Sequence, residues 1–340
     1  MRATNPSLIA IALLCAAPAA AQRFGGTPAP ACDSASFVCG QSGPEDLVAM
    51  GPDWVVASAY AQPGGVRLIR VADRLSFTVY PSDEAREQID GATYADCPGP
   101  PDTTNFTTHG VYVPPSDGPE YELYVVGHGA RESIEIFEVD TRAAMPAVTW
   151  VGCVIAPEPI GLNSVRALPD GGFITTNFNP RGTPMTAMMN GTQNGELWEW
   201  HPGSGWAEIP GSEAAGANGV ELSDDGETLY IAAWGGRSFI RLSRGVEPVV
   251  REDLDLGFFI DNIHWARDGR LLGAGQAGES GAVSQNWKVV LIDPDTLEVE
   301  EIYTQDDQPG FGGGTGALEV GDDLWIGSYR GDRIAIIPAP

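Results

Sequence analysis

One phrase recurs along this chain: an apolar run that ends in small or polar residues. It reads Trp54-Val-Val-Ala-Ser-Ala-Tyr60, Leu123-Tyr-Val-Val-Gly-His128, Phe173-Ile-Thr-Thr-Asn-Phe178, Leu229-Tyr-Ile-Ala-Ala-Trp234, Leu271-Leu-Gly-Ala-Gly-Gln276 and Leu324-Trp-Ile-Gly-Ser-Tyr329. These six copies start 69, 50, 56, 42 and 53 residues apart. An alternating stretch follows each: Val66–Val71, Ile134–Val139, Glu196–Trp200, Phe239–Leu242, Lys288–Ile292 and Arg333–Ile337. Period-two alternation bounded by Gly, Asp and Pro is the signature of strands. Tight polar turns such as Asp170-Gly171-Gly172, Asp224-Asp225-Gly226 and Asp268-Gly269 precede several copies. A repeat of about 50 residues with some four strands per unit predicts an all-β six-bladed β-propeller with four-stranded blades. A two-domain β-sandwich would explain the strands but not six copies of one phrase. The chain ends after three strands of the last blade. A segment near Ser36–Cys39 is therefore expected to add the fourth strand and close the ring, which also covers its exposed edges.

Composition agrees with this and removes some functions. There are 43 Gly and 27 Pro for the turns, while 43% of the residues are hydrophobic, enough for a sizeable core. Against 46 Asp+Glu stand 19 Lys+Arg, a formal net charge of −27. Such a surface repels a phosphate backbone, so no nucleic-acid partner is expected.

Residues 1–21 read as a secretory signal, with Arg2 at the start, an apolar run from Leu8 to Ala17 and Ala19-Ala20-Ala21 as the cleavage site. Leu14 before Cys15 is too bulky for a lipoprotein signal, and the run is too short for a stable membrane span. The mature chain, 22–340, is expected to be one propeller domain, exported to the periplasm or medium. Cys32, Cys39, Cys97 and Cys153 then form an even set in an oxidising compartment. Of the three connectivities, Cys32–Cys39 with Cys97–Cys153 is favoured, the first pair because its loop is short.

In a propeller the first strand of each blade lines the central channel. Here those strands begin Glu45-Asp46, His109-Gly, Asn163-Ser164, Asn218-Gly, Asp261-Asn262 and Thr315-Gly. Glu45, Asn163, Asn218, Asp261 and Thr315 lie 9, 10, 11, 10 and 9 residues before the next strand; His109 lies 14 before it, with Pro114–Pro119 as an inserted turn. Equivalent positions converge on the axis, so Glu45, Asn163, Asn218, Asp261 and Asn262 are expected to meet at one end of the channel. Two carboxylates and three amide oxygens form a hard donor set suited to Ca²⁺, whereas zinc would call for His or Cys.

The phrases Gly43-Pro-Glu-Asp-Leu47, Thr108-His-Gly-Val111, Val126-Gly-His128 with Ile134-Glu-Ile-Phe137, Leu162-Asn-Ser-Val165, Ala217-Asn-Gly-Val220 and Ile260-Asp-Asn-Ile263 occur in the order and spacing of the paraoxonase/arylesterase family. The chain resembles that family over most of its mature length, within a superfamily that includes gluconolactonase/regucalcin and strictosidine-synthase-like propellers. The resemblance implies a catalytic calcium held by Glu45, Asn163, Asn218, Asp261 and Asn262. It also implies a deeper structural calcium on Asp46 and the carbonyl of Val111, and a proton-relay dyad of His109 and His128. Two departures stand out. Ser164 replaces the family's Asp, which puts the second calcium in doubt. No cysteine follows Cys153, so the family's disulfide between the chain ends is absent.

A calcium ion with an open position polarises a carbonyl, and a histidine beside it can activate water. This implies a calcium-dependent hydrolase of lactones or aryl esters with a small-molecule substrate. His264 is expected to be packed and His201 to sit at the surface. The loop 179–194, with Pro180, Met185, Met188 and Met189, is expected to wall an apolar pocket together with Phe258, Phe259 and Thr315. The alternatives are a regucalcin-like sugar lactonase and a non-catalytic propeller that binds a ligand or protein. Protein partners and the physiological substrate are not encoded in any motif.

Overall fold

A computed structural model describes residues 31–279 and 282–340. The expected signal segment 1–21 lies outside these residues. Strand β1 (Phe37–Cys39) opens the described chain. The first blade is β2 (Leu47–Met50), β3 (Trp54–Ala57), β4 (Val66–Arg70) and β5 (Leu75–Tyr80). A short β6 (Arg86–Glu87) precedes β7 (Phe106–Tyr112), β8 (Glu120–Gly129), β9 (Ser133–Asp140) and β10 (Ala147–Ile155) of the second. The third holds β11 (Leu162–Ala167), β12 (Phe173–Asn177), β13 (Glu196–His201) and β14 (Gly205–Glu208), with helix α1 (Met185–Met189) between its middle strands. The fourth is β15 (Ala217–Leu222), β16 (Thr228–Ala233), β17 (Ser238–Ser243) and β18 (Arg251–Asp255). The fifth is β19 (Phe259–Trp265), β20 (Leu271–Glu279), β21 (Ala282–Ile292) and β22 (Val299–Gln305). The last is β23 (Gly314–Val320), β24 (Asp323–Ser328) and β25 (Arg333–Pro338), and β1 pairs antiparallel with β25 as its fourth strand.

The six sheets form a closed propeller. Inner strands β2, β7, β11, β15, β19 and β23 each contact the inner strand of the next blade, and β23 returns to β2. The core is accordingly divided among the six interfaces between neighbouring blades, each holding its own cluster of buried side chains. This explains the apolar phrase. In β16, Leu229, Ile231 and Ala233 face the third blade, while Tyr230 and Ala232 face the fifth. A strand covered on both faces needs apolar residues at every position.

Two details depart from the uniform four-stranded expectation. The second blade gains β6, which pairs parallel to the outside of β10. It belongs to the segment 81–105, whose length explains the 69-residue first interval. The fifth blade's middle hairpin is longer than the phrase predicts, running through Glu279 and resuming at Ala282. Disulfides Cys32–Cys39 and Cys97–Cys153 are both formed. The first holds β1, and the second ties the segment around β6 to β10. No helix among the described residues is long and apolar enough to cross a membrane.

Candidate functional site

The polar residues that open the inner strands sit on a shared backbone device. In five of the six blades the pairing of the inner strand with its neighbour shifts register at the same place: Thr108/Val111, Leu162/Val165, Ala217/Val220, Ile260/Ile263 and Gly314/Ala317. The residues inside these bulges are His109, Asn163, Asn218, Asp261 with Asn262, and Thr315. A bulge re-aims a side chain that strict alternation would send into a blade interface. In the first blade Glu45 and Asp46 stand just ahead of β2 and need no bulge. The glycines that follow His109 and Asn218 allow adjacent strands to approach. A Cβ on Gly110 would lie 2.4 Å from the Asn163 carbonyl oxygen, and one on Gly219 would lie 2.8 Å from that of Asp261.

Glu45, Asn163, Asn218, Asp261 and Asn262 do converge, each at most 5% exposed. The Nδ2–H of Asn262 donates to Glu45 Oε1 at 2.8 Å. Gln276 Nε2–H donates to Asp261 Oδ2 at 2.8 Å, and Trp234 Nε1–H donates to Gln276 Oε1 at 2.7 Å. Four oxygens of the set are left over: Glu45 Oε2, Asn163 Oδ1, Asn218 Oδ1 and Asn262 Oδ1 are buried with no hydrogen-bond partner. An orphaned buried acceptor costs about 1–3 kcal/mol, so four of them in one ring call for a ligand. The electrostatics agree. Burial, then the neighbouring Asp46, push the Glu45 carboxyl up to about 8. Burial, then Glu45, hold Asp261 well above the carboxylate range. Both shifts express an unmet demand for positive charge. The set has two carboxylates and three amides, and no group of three or more His, Cys, Asp and Glu side chains placed to hold a metal ion occurs among the described residues. Its chemistry fits a hard cation such as Ca²⁺.

His109 and His128 are neighbours, with His109 Nδ1 3.0 Å from His128 Nε2. Beyond them stands Glu132, absent from the sequence-level expectation, whose oxygens lie 2.9 and 3.0 Å from His128 Nδ1. A carboxylate only accepts, so with both rings neutral the protons of the relay follow. His128 Nδ1–H donates to Glu132, His109 Nδ1–H donates to His128 Nε2, and His109 Nε2 keeps its lone pair. Asn163 Nδ2–H points to that nitrogen at 3.3 Å, and Glu45 Oε2 lies 3.4 Å from it. Burial lowers His109 to about 4, which keeps it neutral. Tyr60 covers its ring, with centroids 4.4 Å apart.

Above this set opens a cavity of about 330 Å³. Glu45, His109, Asn163, Asn218 and Asp261 line its floor, and Phe178, Met185, Met189, Trp234 and Val283 its walls. Arg330 and Tyr329 stand at its edge, the guanidinium 4.7 Å from the ring centroid. Met185 and Met189 thus lie where the sequence places them, but Met188, Phe258, Phe259 and Thr315 do not line the cavity. Met188 is fully buried beneath α1 against Trp234 and Phe259. Phe258 belongs to the core between the fourth and fifth blades, and Phe259 packs at a tilt against Trp234, ring centroids 4.7 Å apart. Thr315 is buried and donates its hydroxyl to the Glu45 carbonyl at 2.6 Å, so it braces the ring from behind.

Below the ring lie Asp46 and Val111, the residues of the implied second calcium site. Both Asp46 oxygens are hydrogen-bonded: Oδ2 accepts the Val111 N–H, and Oδ1 accepts Leu47 N–H and His264 Nε2–H, each at 2.9 Å. Val111 therefore meets Asp46 through its N–H. His264 is buried as expected, but in a charged network. Burial alone would lower its pKa; Asp46 holds it up at about 9. Arg166 and Glu221 complete that network; each stands three residues after its inner-strand Asn, as His264 stands three after Asp261. His201 ends β13 and meets Glu199 and the Gly171 carbonyl, away from the channel.

No family model and no curated protein matches the sequence. Among solved structures, the chain is similar to a luciferin-regenerating enzyme at 15% identity and a TM-score of 0.52, covering 86% of this chain and 85% of that one. A gluconolactonase-like protein matches at 15% identity and a TM-score of 0.52, over 88% and 90% of the two chains. The PQQ-bound aldose sugar dehydrogenase of Streptomyces coelicolor matches at 12% identity and a TM-score of 0.54, over 89% and 96%. These neighbours are by name enzymes of small molecules. At such identities the likeness shows the fold and leaves the paraoxonase likeness as a resemblance of motifs.

Proposed function

We propose that this chain is an exported, calcium-dependent hydrolase of lactones or aryl esters. The observation that carries the proposal is the juxtaposition of four orphaned oxygens with a histidine relay on one cavity floor. Glu45, Asn163, Asn218, Asp261 and Asn262 would hold the ion. When bound, calcium supplies a Lewis acid that polarises the substrate carbonyl and stabilises the oxyanion. The rest is done by the chain itself. His109 Nε2 takes a proton from water at the cavity floor. His128 accepts the other ring proton of His109, and Glu132 stabilises the positive charge that develops on the pair. Phe178, Met185, Met189, Trp234 and Val283 exclude bulk water and favour a lipophilic substrate over a sugar lactone. Two disulfides suit an oxidising compartment.

The purified protein should hydrolyse phenyl acetate and γ- or δ-lactones with calcium and lose the activity in chelator. His109→Gln should cost about 10²–10⁴-fold in kcat, the usual worth of a general base. Turnover of gluconolactone but not of acyl lactones would move the assignment to a sugar lactonase. If nothing is hydrolysed and His109→Gln changes nothing, the protein is a binding propeller.

A further inference from the structure

The lower channel is held by four charged side chains that the proposed chemistry leaves unused. They come from four blades: Asp46 from the first, Arg166 from the third, Glu221 from the fourth and His264 from the fifth. None is more than 6% exposed. Arg166 Nη2–H donates to Glu221 Oε1 at 2.6 Å, Nη1–H donates to the Val165 carbonyl at 2.8 Å, and Nη2 lies 3.0 Å from His264 Nδ1. Its guanidinium carbon lies 4.7 Å from the ring centroid of Tyr112 of the second blade. His264 passes the link on to Asp46 at 2.9 Å.

The contrast with the upper ring is sharp. There, four oxygens lack partners; here, neither Asp46 nor Glu221 contributes an oxygen to the buried unpartnered atoms. Arginine does not lose its proton in a protein, so its charge is permanent. A metal cation beside a guanidinium already paired with Glu221 would be repelled. Ser164, in the position where the resemblance expects Asp, removes the carboxylate that would have tipped the balance toward a metal.

We propose that Arg166, fixed by Glu221 and His264, takes the place of a second cation, so that the chain binds a single calcium and closes its lower channel with its own charges. The inference rests on the calcium reading of the upper ring. Asp46 is then a structural partner of His264 and not a metal ligand.

The test is calcium stoichiometry of the full chain, stripped with chelator, dialysed and titrated with Ca²⁺ alone by calorimetry, with elemental analysis as a check. One ion per chain and a single-site isotherm are expected. Two ions per chain overturn the inference and leave the upper site standing; no ion overturns the calcium reading itself. Ser164→Asp should stay at one ion while Arg166 is present, and Ser164→Asp with Arg166→Met should rise to two. Should the double variant fail to fold, Asp46→Asn decides. It should melt lower in chelator yet still bind one ion, and a fall in calcium stoichiometry or affinity would make Asp46 a ligand after all.

Discussion

Glu132 shows how a single side chain can set the direction of a relay. Its oxygens also accept the Leu162 N–H at 3.2 Å, so the carboxylate is anchored between the second and third blades. Glu132→Gln would keep the shape but could donate to His128 Nδ1, reversing the tautomer and leaving His109 Nε2 protonated. The expected result is a drop of about 10²-fold or more in kcat with little change in KM, measured on any lactone the enzyme accepts. At this scale the sequence was legible wherever a residue repeats a position. Glu45, Asn163, Asn218 and Asp261 could be found because each lies at a similar distance before the same phrase. Glu132 and Gln276 could not, because their partners lie on other strands or other blades. Arg166 and Glu221 do repeat a position, three residues after Asn163 and Asn218 as His264 is after Asp261, but the repeat does not say which of them pair.

Among the elements, the inner strands carry the site because of where they fail to pair. Five bulges at one level carry His109, Asn163, Asn218, Asp261, Asn262 and Thr315. Gly219→Ala would drive a methyl against the Asp261 carbonyl. Overpacking of this kind costs about 1–3 kcal/mol, and a lower melting temperature with weaker calcium binding is expected. A second tie runs between outer parts of the third and fourth blades. Glu199 accepts from Arg244 Nη2 at 2.7 Å and from His201. Burial would lower His201, but Glu199 holds its pKa above the ordinary value. A raised folded-state pKa stabilises fully below the unfolded value and is lost as pH rises through the folded one. The melting-temperature gap between the wild type and His201→Asn should therefore be wider at pH 5.5 than at pH 9. Strand existence was readable from alternation. Strand ends were not, because β20 and β21 extend beyond the apolar phrase and β6 has only two residues. The wall of the cavity was misjudged for a related reason: Phe258 and Phe259 precede a bulge and serve blade interfaces.

For the whole molecule, the surplus of acids divides unequally. Most of the charge of −27 is spread over exposed turns, where it favours solubility. Only Glu45 and Asp261 are turned to the proposed ion, while Asp46 and Glu221 are neutralised from within. The disulfides act at this scale too. Cys97–Cys153 spans 56 residues, a loop whose closure is worth about 4 kcal/mol in the chain-entropy picture. Replacing both cysteines by alanine should lower the melting temperature by about 6 °C, read by calorimetry, without changing calcium stoichiometry.

The pairing of β1 with β25 has a consequence in time. Of all the described strands, the one made first by the ribosome rests on the one made last. Until Arg333–Pro338 exists, Phe37–Cys39 has no partner, so no partial set of blades is a finished ring. On the proposed export, such an order acts as a delay. The clasp can shut only after the whole length has arrived.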